Sequence, residues 1–150
     1  GCLLKQLHFA RDVKAEIEAF SAAHALGGRI HLIGFMPNIK DVYDRISVLC
    51  FPSHLNAAGR PVFEAAFSRV PSIVAIDHPY GDTIVNRETG LCIGAGDAAA
   101  LAGAIEYFYL HPSERKRMGD AAYELAQRNF DIRSNASLVL DIYRGLAVRA

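Results

Sequence analysis

The segment Pro52-Ser53-His54-Leu55-Asn56-Ala57-Ala58-Gly59-Arg60 leads into Pro61-Val62-Phe63-Glu64 and gathers residues suited to binding an anion beside a diol. Proline is favoured at the first position of a helix, so a helix is predicted to start at Pro61 and run to about Ser68. A helix start carries unpaired N–H groups and the positive end of the helix dipole. Together these stabilise a phosphate without a Gly-rich loop. Gly59 has no side chain to hold the backbone off a ligand. Arg60 adds a permanently charged planar fork that matches phosphate oxygens. Glu64, placed in the first turn, can accept hydrogen bonds from two vicinal hydroxyls of the kind a ribose presents. It can equally do no more than complement the dipole, as first-turn acids often do. Local chemistry leaves both readings open.

Those residues need elements to hold them. Phe9, Val13, Ile17 and Phe20 recur at helical spacing, predicting an amphipathic helix over about 8–26, closed by Gly27-Gly28. Ile30 to Ile33 is a β-branched run ending at the turn Gly34-Phe35-Met36-Pro37, and a short helix is expected over Asp41 to Arg45. Val48 to Phe51, Ser72 to Ile76 and Leu91 to Ile93 read as further strands. The first of these is apolar on both faces, as in strands sandwiched between helices. Cys50 then reads as a small buried hydrophobe. Three helices, about 97–110, 113–129 and 134–148, close the chain. Strands alternating with helices imply an α/β fold with a parallel, Rossmann-like sheet and helices on both faces. Ligands of such sheets bind outside the carboxyl ends of the strands. Three loops leave those ends: Gly34 to Pro37, Pro52 to Arg60, and Asp77 to Asp82. No repeat, low-complexity tract or internal domain boundary is evident.

Composition removes several alternatives. The 150 residues carry 16 basic and 16 acidic side chains, which argues against a broad nucleic-acid surface. Cys2, Cys50 and Cys92 are isolated, a pattern that suits a reducing, cytoplasmic compartment better than a disulfide framework. No apolar run approaches the roughly 20 residues that span a bilayer, and no signal peptide is evident. The six histidines form no pair at metal-ligand spacing. Most read as lone surface or core side chains, although His54 and His78 sit in the loops of interest. No G-x-S-x-G elbow surrounds Ser53, and no G-x-G-x-x-G follows a strand, which disfavours a hydrolase and a dinucleotide cofactor.

The ordered set Leu32-Ile33-Gly34-Phe35-Met36-Pro37-Asn38-Ile39, Phe51-Pro52-Ser53, Gly59-Arg60-Pro61-Val62-Phe63-Glu64-Ala65, Val70-Pro71-Ser72-Ile73-Val74-Ala75 and Thr89-Gly90-Leu91 resembles the C-terminal domain of group 1 (family 4) glycosyltransferases. The tail agrees through Leu101-Ala102, Ala104-Ile105, Met118-Gly119, Asn129-Phe130 and Ile142-Tyr143. Each piece is weak alone, and the ordered set spans nearly the whole chain. The resemblance implies half of a GT-B fold that binds a nucleotide-diphosphate sugar, UDP- or GDP-linked. It implies transfer with retention, without a metal or other cofactor, to a saccharide or lipid-linked acceptor. Glu64 matches the family's ribose-binding Glu.

The family's other Glu, seven residues earlier, falls at position 56, where this sequence has Asn56. Asn keeps hydrogen-bonding capacity for a sugar hydroxyl but no charge, and it also suits a turn. Asp82 stands where the family places a Glu ahead of Thr89-Gly90-Leu91, on a shorter arm, and again a plain turn role is open. By the same resemblance Asn56, Ala57 and the backbone after it meet the donor sugar, with His54 in the same loop. The diphosphate lies at Gly59, Arg60, Pro61 and Val62, and Phe35 with Met36, after Gly34, flank the base. The family's pyrophosphate-binding Arg and Lys have no counterpart here. The chain is therefore expected to be a fragment, 1–150, lacking the first strand and helix of its domain and the acceptor-binding N-terminal domain. It is not expected to be a competent transferase as it stands. A non-catalytic nucleotide-sugar-binding or regulatory module, and a nucleotide-sugar epimerase, are the alternatives.

Overall fold

The computed structural model describes residues 12–53, 57–79 and 81–147. The chain divides into two compact units, Gly1–Pro37 and Asn38–Ala150, at a point where the sequence shows no linker composition.

In the first unit α1 spans Val13–Ala23, and the Asp12 carboxylate caps it by accepting the Ala15 N–H at 3.1 Å. The helix ends ahead of Gly27-Gly28, because His24 donates its N–H back to Phe20 and Ala25 takes a left-handed conformation, φ 52°. The strand expected over Ile30 to Ile33 is not formed. Residues 30–36 have no regular structure, and Ile33 is 70% exposed. A β-branched run becomes a strand only by bonding to a neighbouring strand, and among the described residues none pairs with it.

The second unit opens with α2, Ile39–Tyr43, capped by Asn38, whose side chain accepts from the Lys40 N–H and donates to Asp41. The later elements are β1 (Leu49–Phe51), α3 (Arg60–Phe67), β2 (Ser72–Ala75), β3 (Gly90–Ile93), α4 (Ala98–Leu110), α5 (Pro112–Phe130) and α6 (Ile132–Ala147). Most boundaries fall within two residues of the periodicity, since caps and prolines mark the ends. The strands form a parallel sheet in the order β1-β2-β3, with Leu49 opposite Ser72 and Ser72 opposite Gly90. Gly90 is required there, because a Cβ would strike the Ser72 carbonyl. The crossover from β1 to β2 contains α3, whereas β2 reaches β3 through turns.

Side-chain alternation sorts the core onto the two faces of the sheet. On one face Val74, Ile76 and Ile84 pack against Val62 of α3, with Leu49, Phe51 and Cys92 beside them. On the other, Ile73 and Leu91 meet Ala104 and Phe108 of α4 and Met118 of α5. Burying each large side chain of this set contributes about 1.5–3 kcal/mol. Small residues then bring α5 against α3: Ala66, Ala122 and Ala126 form one cluster, with Phe63 stacked on Phe130 at 4.7 Å. Cys50 departs from expectation. It faces the α4 side of the sheet, but it lies on the outer strand of the described sheet and is exposed. No helix among the described residues is long and apolar enough to cross a membrane.

Candidate functional site

The parallel strands deliver Pro52-Ser53, the turn after Ile76 and the turn Gly94–Asp97 to one edge of the sheet. At that edge α3 begins one residue before the expected Pro61, with Arg60 as its first residue and Pro61 second. Gly59 is the N-cap, and as a glycine it brings no side-chain acceptor to the start of the helix. The glycine is explained by a close approach, since a Cβ there would lie 2.7 Å from Cζ of Phe51, whereas φ of −86° suits any residue.

The boundary shift moves Glu64 into the second turn, and the first turn carries no acid. A dipole-complementing role therefore weakens, because that effect fades beyond the first turn. The Glu64 side chain is 27% exposed, and each of its oxygens has a partner. Oε1 pairs with Arg60 Nε at 3.1 Å, and Oε2 accepts the Tyr43 hydroxyl at 3.1 Å. Tyr43 is buried, and its phenol is pushed up to about 12, first by burial and then by the hydrogen bond to Glu64 and its charge, with Arg60 opposing. The phenol therefore stays a neutral donor. Arg60 is 80% exposed, and an exposed i,i+4 pair contributes at most about 1 kcal/mol. A phosphate can compete for this guanidinium at little cost.

Between α2 and α3, Ile39, Lys40, Tyr43, Glu64, Phe67 and Ser68 line an open cleft of about 240 Å³. Its cation, Lys40, is held by Asp44 at 2.6 Å. Sequence reasoning missed both Tyr43 and Lys40. The Lys40–Asp44 spacing was a readable signal. Tyr43 gave none, because its partner is 21 residues away.

The remaining candidates are dispersed. His54 and Asn56 lie outside the described residues, and Ala57 is exposed in the loop that follows. The Val62 side chain is 3% exposed in the core, and its N–H bonds back to Gly59 at 3.0 Å. It supports the helix from beneath. Asp82 does not line the cleft. Its carboxylate accepts the Thr83 hydroxyl at 3.1 Å, and its carbonyl accepts the Asn129 amide at 2.8 Å, tying the loop to the end of α5. His78 is exposed in the loop after β2. Gly34, Phe35 and Met36 belong to the first unit, where Phe35 is 92% exposed. The Thr89 hydroxyl is buried and accepts the Val85 N–H at 2.8 Å, so the Thr89-Gly90 pair builds the turn into β3.

Other chemistry finds little support. Burial pushes the Cys92 thiol up to about 11, which keeps it from acting as a thiolate. Among the described residues no group of three His, Cys, Asp or Glu side chains is placed to hold a metal ion.

Residues 10–125 match the family described as glycosyl transferases group 1. A lipopolysaccharide core biosynthesis mannosyltransferase from Rhizobium leguminosarum bv. viciae is 30% identical over 138 residues, covering 92% of this chain and 38% of that protein. Among solved structures, a sucrose-phosphate synthase from Thermosynechococcus elongatus superposes with a TM-score of 0.81 at 26% identity, over 91% of this chain and 35% of that one. A structure of Anabaena HepE in complex with UDP-glucose gives a TM-score of 0.81 at 17% identity, over 93% of this chain and 38% of that one, and shows the likeness of fold. The chain thus spans less than two fifths of the length of this curated relative.

Proposed function

The chain belongs to the group 1 glycosyl transferases, and on that premise we propose that it supplies the donor-binding half of a sugar transfer from a nucleotide-diphosphate sugar to a saccharide or lipid-linked acceptor. The observation that carries this reading is the pairing of Glu64 with Arg60 at a helix start whose N-cap is Gly59. In the proposal the diphosphate sits at the N-terminus of α3 and draws Arg60 from Glu64. The Glu64 carboxylate then accepts the ribose hydroxyls, and Asn56 with Ala57 meets the sugar. Transfer breaks the bond from the anomeric carbon to the diphosphate and forms one to an acceptor hydroxyl oxygen, whose proton passes to the departing diphosphate, with retention. The nucleoside diphosphate leaves with its bonding electrons. Stabilising that leaving charge is the contribution such a site makes to the rate. The proposal includes no metal and places the acceptor on another part of a longer protein.

Calorimetric titration with UDP, GDP and ADP, on wild type and Glu64→Ala, tests the reading. One nucleotide is expected to bind selectively, and the substitution should weaken it by about tenfold or more, the scale of a hydrogen bond to a charged group. Equal binding by both proteins would remove Glu64 from the site. That HepE has been crystallised with UDP-glucose makes UDP the first to try.

A further inference from the structure

Among the described residues the hydroxyl of buried Tyr43 donates to the carboxylate of Glu64, and that contact crosses from α2 to α3. A carboxylate that reads a diol must present both oxygens in one orientation, because each hydroxyl donates along a fixed direction. A glutamate has three side-chain torsions to restrain. Of the two groups that hold Glu64, the Arg60 guanidinium is exposed and easily displaced. The Tyr43 phenol is 5% exposed, and its ring is wedged beside Ala65 and Val70. Its hydroxyl therefore stands at a point set by the core. Donation to Oε2 leaves Oε1 free once Arg60 departs, and it leaves further lone pairs on Oε2 itself.

We infer that Tyr43 is a positioning residue that orients the Glu64 carboxylate toward the vicinal hydroxyls of a ribonucleoside diphosphate. The inference rests on the diol-binding reading of Glu64 and adds to it a residue that need not touch the ligand. Its signature is selectivity for the diol rather than affinity in general. The diphosphate draws Arg60 from Glu64 whichever sugar it carries, so the phosphate contacts at Gly59 and Arg60 are common to a ribonucleotide and its 2′,3′-dideoxy counterpart. Loss of Tyr43's donor should therefore reduce the preference for the first while leaving the second unchanged.

The test measures the affinity of the best-binding nucleoside diphosphate among UDP, GDP and ADP, and of its 2′,3′-dideoxy form, for five proteins. In wild type the ribose form is expected to bind about tenfold tighter or more, and Glu64→Ala should bring the ratio close to one. Tyr43→Phe, which keeps the buried ring, should cut the ratio about three- to tenfold with the dideoxy affinity unchanged. The double variant should match Glu64→Ala alone. Tyr43→His, which retains a donor on a ring, should recover part of the ratio and provides a second variant should Tyr43→Phe fold poorly. An unchanged ratio in Tyr43→Phe, or equal weakening of both ligands, overturns the positioning role while leaving Glu64 in place. A wild-type ratio near one, or one that Glu64→Ala leaves intact, overturns the diol role of Glu64 and this inference with it.

Discussion

Tyr43 links the physics of the core to the chemistry of the site. Its folded pKa stands above the ordinary value of 10.0, at about 12, because burial and the Glu64 carboxylate both disfavour the phenolate. A group raised in this way contributes the same stability at every pH below about 10, and that contribution is lost as pH rises toward 12. Chemical denaturation across this alkaline window should show a loss in wild type that Tyr43→Phe lacks, since phenylalanine has no proton to release. Parallel curves for the two proteins would contradict the assignment. Residues differ sharply in how far the sequence revealed them. Gly59, Arg60 and Glu64 were legible because a proline announces a helix and the neighbouring types suit phosphate and diol. Tyr43 was not, because nothing local links it to an acid 21 residues later. For Val62 the place in the helix start was visible, but the direction of its side chain depends on the sheet beneath.

At the scale of elements, the site is held by the packing of α3 against the sheet and against α5. Gly119 of α5 sits on the turn between α3 and β2, and a Cβ there would run into the Arg69 carbonyl. Backbone cannot give way as a side-chain tip can, so Gly119→Ala is expected to cost about 2–4 kcal/mol in denaturant titrations. Gly103, inside α4, has open space around the position of a Cβ. Gly103→Ala should instead leave stability unchanged or raise it by up to about 1 kcal/mol, through helix propensity alone. If the two variants behaved alike, the close contact of α5 with the α3–β2 turn would be wrong. Helices and their ends were readable because propensity, capping and period act within a few residues. The run Ile30 to Ile33 has all the composition of a strand and is not one in the structure. A strand is defined by its neighbour, and composition does not supply a neighbour.

Across the whole molecule, stability is unevenly spread. β2 is fully buried, with Ile73 and Val74 at 0% exposure, whereas α6 buries none of its described side chains and leaves Leu138, Ile142, Tyr143 and Leu146 at 60% or more. Native-state amide exchange should accordingly be slowest in β2 and fast along α6, whose described side chains are all exposed. Uniform protection from β2 to α6 would contradict this uneven spread. Balanced charge and the absence of a nucleotide-cofactor fingerprint narrowed the classes of partner. The family itself became legible from the order of many weak motifs, and the match over residues 10–125 agrees with that order.

By itself the sequence determined the helices, the parallel α/β class, the family and the start of the helix near Pro61. Each of these follows from the order and local spacing of residue types, which act over one or two turns of chain. The tertiary structure decided which residues meet: that Tyr43 holds Glu64, that Val62 turns inward, that Asp82 lies apart from the cleft, and that Cys50 is exposed. Those outcomes depend on contacts between distant parts of the chain. Such contacts are fixed by how whole faces of sheet and helix exclude water together, and no short stretch of residues specifies that.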